Sequence, residues 1–428
     1  MALGTRIVRR EARRAWRVEA DVCVLGAGIA GISAALEAAR LGLRVVLIDG
    51  QPTLGGQSVN ALIGTFCGLF SNGPKPHQVT HGIADEILRE LGAAGALHYL
   101  TGRRNTTIVQ YDEVALARWI ERSVAAEPNV TPLLGAMLRS VERDGRRLVA
   151  LELATRHGDM SVSAAGFVDA SGDATLAYEA GFDCREPDTP IFGTQMITLE
   201  GVNEAAKLSR DEVEARLKAK GREYGLTRLD GFVFAIPGTG RALVNMTHLE
   251  TPLDPLGHSR QQIAGRAEAD RLVHFLKTEF PKALGAASVR SYGQLGVRQT
   301  RWIAGGHHMT ADEVRRGERY ADAILRCSWP IELHDRAEGA HWEVFGDDHM
   351  HYAPLRSLVP READNLIAVG RCIDGDPAAL SSVRVMGPCI AMGAAAAHAL
   401  DLAGAGSLHQ IDVAALQRRL RDNLERTD

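Results

Sequence analysis

The residues best suited to chemistry stand in four short stretches. WPIELHD ends in His334 and Asp335, and DDHMHYAP carries His351 and Tyr352. Imidazole titrates near neutrality, so either histidine could take a proton from a substrate at working pH. Tyr352 could donate a hydrogen bond to a substrate oxygen. In YGQLGVRQTRWIAG, Arg298 and Arg301 stand three apart and could hold a carboxylate through paired N–H donors. The plainer alternatives are that His334 closes a strand and pairs with Asp335, and that the arginines brace an interdomain hinge. The fourth stretch, Asp21 to Asp49, spaces Gly26, Gly28 and Gly31 as G-x-G-x-x-G.

The elements around that fourth stretch give it meaning. Asp21 to Leu25 is a short apolar run, as in a strand buried on both faces. From Ile32, apolar positions 32, 35, 36, 39 and 43 fall on one helical face. A second apolar run, Val45 to Ile48, ends in Asp49 roughly 20 residues beyond the glycines, as the dinucleotide fingerprint requires. Gly26 permits the tight turn, Gly28 lets the backbone approach a pyrophosphate, and Gly31 lets helix and strand pack closely. The anion would sit on unpaired N–H groups at the helix start. Asp49 can accept both hydroxyls of an adenosine ribose and would repel a 2′-phosphate. The alternative is a merely structural strand–helix–strand unit.

Length and composition bound the rest. The 428 residues suit two domains or one interleaved pair, and 45% hydrophobic with 24% charged residues suits a buried core. A net charge of −4 gives no basis for nucleic-acid binding. Residues 1–20 form an Arg-rich arm with Arg6, Arg9, Arg10, Arg13, Arg14 and Arg17, read as solvated, a transit peptide being the alternative. The weakly polar run Met386 to Ala397 is short for a membrane span and suits a packed internal helix. Six cysteines without C-x-x-C or zinc spacing point to a reduced, cytoplasmic protein. His307-His308 and His349-x-His351 have no partner at metal-ligand spacing, so no metal is expected. Cys67 could be a redox thiol or flavin attachment point, and a buried or loop cysteine is the plainer reading.

Further along, Gly55 and Gly56 again invite close backbone approach to a ligand, and residues 62–80 read as a loop. Helices are expected at 83–91 and 112–126, then strands over 132–151 with a turn at Asp144-Gly145. GFVDASGDATLAYEAG reads as strand, polar turn at 169–173 and helix from Thr175, a turn that could return the chain to a cofactor or be an ordinary connection. From about 185 to 343 the runs TQMITLEG, GFVFAIPG and GRALVNMTHLE favour β structure, with a long helix near 259–280. Residues 344–404 return to strand, Gly370-Arg371 turn and a small-residue helix from Met386, whose first turn suits Pro388. An amphipathic helix on Leu416, Leu420 and Leu424 ends the chain.

The stretches GAGIAG, GVRQTR and VGRCIDGDPAALSSVRVMGPC together resemble the FAD-dependent oxidoreductases of the glutathione-reductase-like fold, over about residues 20–402. The closest pattern there reads roughly AGRCISA…SVRVM, with a middle motif G(V/I)R-x-(S/T)R. The resemblance implies an α/β Rossmann-type FAD-binding domain in two parts, 21–184 and 344–404, with an inserted α+β substrate domain at 185–343 and a helix at 405–428. It implies that Gly26, Gly28, Ile29, Ala30, Gly31, Asp49 and Gly50 hold the ADP half of FAD. Gly55, Gly56, Gln57 and Ser58 would lie near the flavin ring, and the Ala136 backbone near adenine. Ala170, Gly172 and Asp173 would run along the cofactor. Gly370, Arg371 and Asp374 would meet its ribityl and pyrophosphate region. Asp374 departs from the small residue usual at that position. The helix start at Arg384, Val385 and Met386 would face the flavin N1–O2 edge, where a positive helix end and a cation stabilise reduced flavin.

No second strand–G-x-G-x-x-G–helix unit follows, since GTGRAL at Gly238 lacks the third glycine. The expected function is therefore a dehydrogenase or oxidase that moves a hydride from a small organic substrate onto flavin N5. Electrons would leave to oxygen, a quinone or a carrier protein. A flavin monooxygenase using NAD(P)H and oxygen, and a flavin-binding scaffold or redox sensor, are the alternatives. Substrate, acceptor, covalent attachment and oligomeric state are not written in the sequence, and a homo-oligomer is compatible with it.

Overall fold

A computed structural model describes residues 4–7, 16–102 and 105–427. Strand β1 (Trp16–Leu25) and strand β2 (Val45–Asp49) pair in parallel, Val22 opposite Val45 through Leu25 opposite Ile48. Helix α1 (Ile29–Arg40) crosses between them, with ten of its twelve residues buried. β1 starts at Trp16 because its leading residues pair with Met160 to Ala164 of the strand Gly158–Asp169. The sheet thus takes up residues 16–20, which the sequence placed in a solvated arm. Of that arm's arginines, Arg9, Arg10, Arg13 and Arg14 lie outside the described residues.

The main sheet has seven strands. Val130–Leu134, β2, β1, Gly158–Asp169 and Leu366–Ala368 run parallel, and Ala136–Asp144 with Arg147–Thr155 adds an antiparallel hairpin. The last parallel strand joins the sheet from nearly 200 residues further along the chain. The fold is a mixed α/β architecture around a largely parallel sheet.

A second, antiparallel sheet is built from residues 185–343. Its order is Phe232–Ile236, Arg241–Asn245, Thr194–Glu200, Ser288–Gly296. Helix α2 (Pro255–Glu279) packs on it through Ala269, Leu272, Phe275 and Leu276, with the Asp254 carboxylate capping its start. Strand β3 (Ile331–Arg336) belongs to a separate hairpin.

Two consecutive helices then return to the main sheet, α3 (Pro377–Val383) and α4 (Met386–Ala403). Among the described residues α4 alone is long and apolar enough to cross a membrane, yet 78% of it is buried within the protein. It lies against α1 so closely that a Cβ on Gly393 would stand 2.4 Å from the Ala30 carbonyl oxygen. Ser33 Oγ donates to the Ile390 carbonyl at 2.7 Å across that contact. The last expected helix is two short ones, Val413–Arg419 and Arg421–Glu425.

Candidate active site

A cavity of about 700 Å³ is lined from both halves of the chain, by the 26–30 turn, residues 56–58, 170–173, 294–298, 369–371 and 384–386, and by β3 and α2. That volume lies in the usual range for ligand sites.

The glycine turn shows three different constraints. Gly26 has φ +105°, and a Cβ there would meet the Ala170 carbonyl oxygen at 2.2 Å. A Cβ on Gly31 would stand 1.8 Å from the Gly26 oxygen, so the helix start can rest on the turn only as glycine. Gly28 meets no atom within 4 Å and opens into the cavity. It caps α1 without a side-chain bond, which leaves first-turn N–H groups at Ile29 and Ala30 beside the cavity. An open Cα beside a helix start is a cradle that fits a pyrophosphate.

Asp49 lines the same cavity at the end of β2. Its oxygens accept from the Ala27 N–H at 2.7 Å and the Gln51 N–H at 2.8 Å, which fixes the carboxylate in place. Gly31, Gly50, Gly55 and Ala136 do not line the cavity, and Ala136 is buried in its strand. Gly56, at φ +50°, would press a Cβ to 2.7 Å from the Gly28 Cα. That close approach brings Gln57 and Ser58 to the wall, where Gln57 Oε1 accepts from the Val297 N–H at 2.9 Å.

The 170–173 turn is pinned from below by buried Asp169, which accepts from Ser171 Oγ at 2.6 Å and the Leu176 N–H at 2.8 Å. Arg371 lines the cavity, but its guanidinium is committed. It donates to the Gly172 carbonyl at 2.6 Å, to the Val297 carbonyl at 3.1 Å and to Asp173 at 2.9 Å. It clamps three loops. Gly370, at φ +78°, lies against Ala30. Asp374 is fully buried outside the cavity, accepting from Arg185 Nε, His308 Nδ1 and the Gly305 N–H. Its acid is a packing anchor for three segments.

The proposed catalytic residues separate. Arg298 and His334 line the cavity; His351, Tyr352 and Arg301 do not. Arg301 turns away because residues 297–301 are not helical, so a spacing of three does not place two side chains on one face. It pairs with Glu186 at 3.0 Å and lies 3.6 Å over the Tyr178 ring. His351 is buried against Ser382 Oγ at 2.9 Å and His349 at 3.2 Å, and burial pushes it down to about 3. Tyr352 packs under Arg319.

His334 sits in a chain of contacts that determines where protons lie. His248 Nδ1 faces the carbonyls of Arg336 at 3.0 Å and Ala337 at 3.1 Å, so that nitrogen carries the hydrogen. Its Nε2 then accepts from His334 Nδ1 at 2.8 Å. The remaining His334 Nε2 stands 3.1 Å from Glu332 Oε1, two lone-pair atoms that need one proton between them. Burial raises the Glu332 carboxyl, opposed by Arg298 and Arg384, and burial followed by Arg298 holds His334 well below the usual imidazole range. Both shifts favour the carboxyl over the imidazole as the holder of a proton shared by the pair. Trp329 Nε1 donates to the other oxygen, Oε2, at 3.3 Å. Glu332 was missed in the sequence, although residues two apart on a strand share a face. His248 carried no sequence signal.

Arg384 Nε is buried and has no hydrogen-bond partner. Cys67 and Cys389 also line the cavity, with burial raising both thiols, Cys389 to about 12.

A family model described as FAD dependent oxidoreductase matches residues 21–420. Among solved structures, a geranylgeranyl bacteriochlorophyll reductase-like protein of Thermoplasma acidophilum is similar at 13% identity, covering 96% of this chain and 84% of that one, with a TM-score of 0.49. The p-nitrophenol 4-monooxygenase of Pseudomonas putida is similar at 13% identity over 95% and 81%, with a TM-score of 0.48. A flavin-dependent brominase is similar at 14% identity over 95% and 83%, with the same score.

Proposed function

We propose that this chain, which belongs to the FAD dependent oxidoreductase family, is a dehydrogenase or oxidase of a small organic substrate with Glu332 and His334 as its proton acceptor. Its cofactor domain is read as the glutathione-reductase-like type. Gly26, Gly28, the α1 N-terminus and Asp49 hold the ADP half of FAD. Gln57, Ser58 and the segment Arg384 to Met386 border the flavin ring. Bound FAD supplies a hydride acceptor.

The residues supply the other half of the chemistry. Taking a hydride from carbon leaves a proton on the neighbouring oxygen or nitrogen. With the pair unprotonated, Glu332 Oε1 and His334 Nε2 oppose lone pairs at 3.1 Å. One proton turns that repulsion into a hydrogen bond. Both ring nitrogens of His334 are committed, so the carboxyl receives the substrate proton and the imidazole holds it there. His248 fixes the ring tautomer. Arg298 and Arg384 oppose the burial effect and keep the carboxyl ionisable.

The observation that carries this reading is the Glu332–His334 contact within the cavity that also holds the glycine turn. The test is anaerobic rapid mixing of the FAD-loaded protein with a panel of small alcohols, amines, hydroxy acids and amino acids. Bleaching by one class is expected, slowed about 10²–10⁴-fold in Glu332→Gln at unchanged FAD content. Bleaching by NADPH alone, dependent on an aromatic substrate, would replace this reading with a monooxygenase.

A further inference from the structure

Three guanidinium groups surround the Glu332–His334 pair, Arg228 and Arg298 buried and Arg384 half-buried, and they are not equally satisfied. Arg228 pairs with Asp230 at 2.6 Å and donates to Asn245 Oδ1 and the Thr247 carbonyl. Arg298 is only 9% exposed and lines the cavity, with one donor spent on the Phe192 carbonyl at 2.7 Å. Arg384 lines the same cavity with its buried Nε unpartnered. Among the described residues neither Arg298 nor Arg384 forms an ion pair, and the carboxylate they share at longer range is Glu332. Glu332, when ionised to act as the proton acceptor, balances only one of the two guanidiniums, which leaves one positive charge facing the cavity without a counter-charge. Burying an uncompensated charge is costly, so such a site fits an anion that completes it.

We propose that Arg298 and Arg384 form an oxoanion subsite in this cavity, and that the enzyme's substrate is a small organic carboxylate. Planar guanidinium forks match a carboxylate's two oxygens, where a lysine would act only as a point charge. One negative charge balances the two guanidiniums together with ionised Glu332. With Glu332 ionised, a phosphate monoester would bring nearly two charges and leave the pocket net negative. The subsite also places the carboxylate near the proton acceptor, so the oxidised carbon belongs to the acid's own short chain.

This inference deepens the function proposed above and rests on it. The test is calorimetric titration of the FAD-loaded protein with acetate and benzoate, each against its primary amide. Both acids are expected to bind at least about 10-fold more tightly than the amides. Arg298→Gln should weaken the acids about 10- to 100-fold, the loss of a charge-assisted hydrogen bond, with amide binding and FAD content unchanged. Equal binding of acids and amides by the wild-type protein would overturn the proposal without needing any variant. So would an Arg384→Gln protein that loses FAD alongside an Arg298→Gln protein that binds acids normally, which would give the free guanidinium to the cofactor. The two readings fail differently. Acids that bind through both arginines yet never bleach the flavin contradict only the hydride reading. Bleaching by neutral alcohols or amines with no preference for acids contradicts only the carboxylate.

Discussion

Gly28→Ala separates cofactor binding from folding. Residue 28 has φ −71° and ψ 178°, extended backbone that any residue adopts, and an added Cβ meets no atom within 4 Å. Two small stability effects oppose each other there. Alanine caps a helix less well than glycine by about 0.5–1 kcal/mol, while its stiffer unfolded chain returns about 0.4–1 kcal/mol. The apoprotein should stay within about 0.5 kcal/mol of wild type. The methyl group instead crowds the place where a pyrophosphate approaches the backbone, at a cost of about 1–3 kcal/mol. FAD should then bind about 5- to 150-fold more weakly. Urea unfolding of the apoprotein and fluorescence titration with FAD read the two quantities separately. Gly31→Ala is the opposite case. Its Cβ would lie 1.8 Å from the Gly26 oxygen, so α1 must move and the apoprotein itself should lose about 3 kcal/mol or more. A Gly28→Ala apoprotein destabilised by more than about 2 kcal/mol, or one that holds FAD as tightly as wild type, would refute this division of roles.

Other expectations concern protons and clamps. Flavin reduction should rise with pH through a single ionisation above the usual carboxylate range, because the ionised form of raised Glu332 is the acceptor. Glu332→Gln should remove that limb from the rate profile. His351 is held neutral by burial, at about 3. The unfolded chain therefore binds its proton first, and stability should fall as pH drops from about 6.5 towards 3. His351→Phe should flatten that acid slope in unfolding curves while leaving the flavin reduction rate unchanged. Asp173→Asn weakens the clamp that Arg371 makes between three loops, and a loss of about 1–3 kcal/mol is expected in denaturant titration, with FAD released more readily.

The parts of the site that local spacing controls were legible in the sequence. Gly26, Gly28, Gly31 and Asp49 act through one strand–turn–helix–strand unit, so their order along the chain is also their order in space. Arg298 and Arg301 misled because the spacing rule that pairs residues three apart belongs to helices, and residues 297–301 are extended loop. His334 and His351 looked equivalent because each carries an imidazole, which ordinarily titrates near neutrality. Only packing decides that β3 borders the cavity while His351 faces Ser382. Glu332 could have been found from its spacing of two before His334. His248 could not, since it reaches His334 from 86 residues away. The unusual acid at Asp374 was visible as a departure, and its reason is the buried set of donors from Arg185, His308 and Gly305. Residues 16–20 were misplaced in the arm because their strand partner lies about 140 residues later, at Met160 to Ala164.

A crystal structure of the FAD-loaded protein would show where the cofactor lies relative to Glu332 and His334. The ADP half should lie along Gly26 to Gly31 and Asp49, and the flavin ring between Gln57 and Met386. The Glu332 carboxyl, Arg298 and Arg384 should then face the ring across open substrate space. A ring bound elsewhere, or one walled off from Glu332 and His334 by protein, would contradict the proton-acceptor role of that pair.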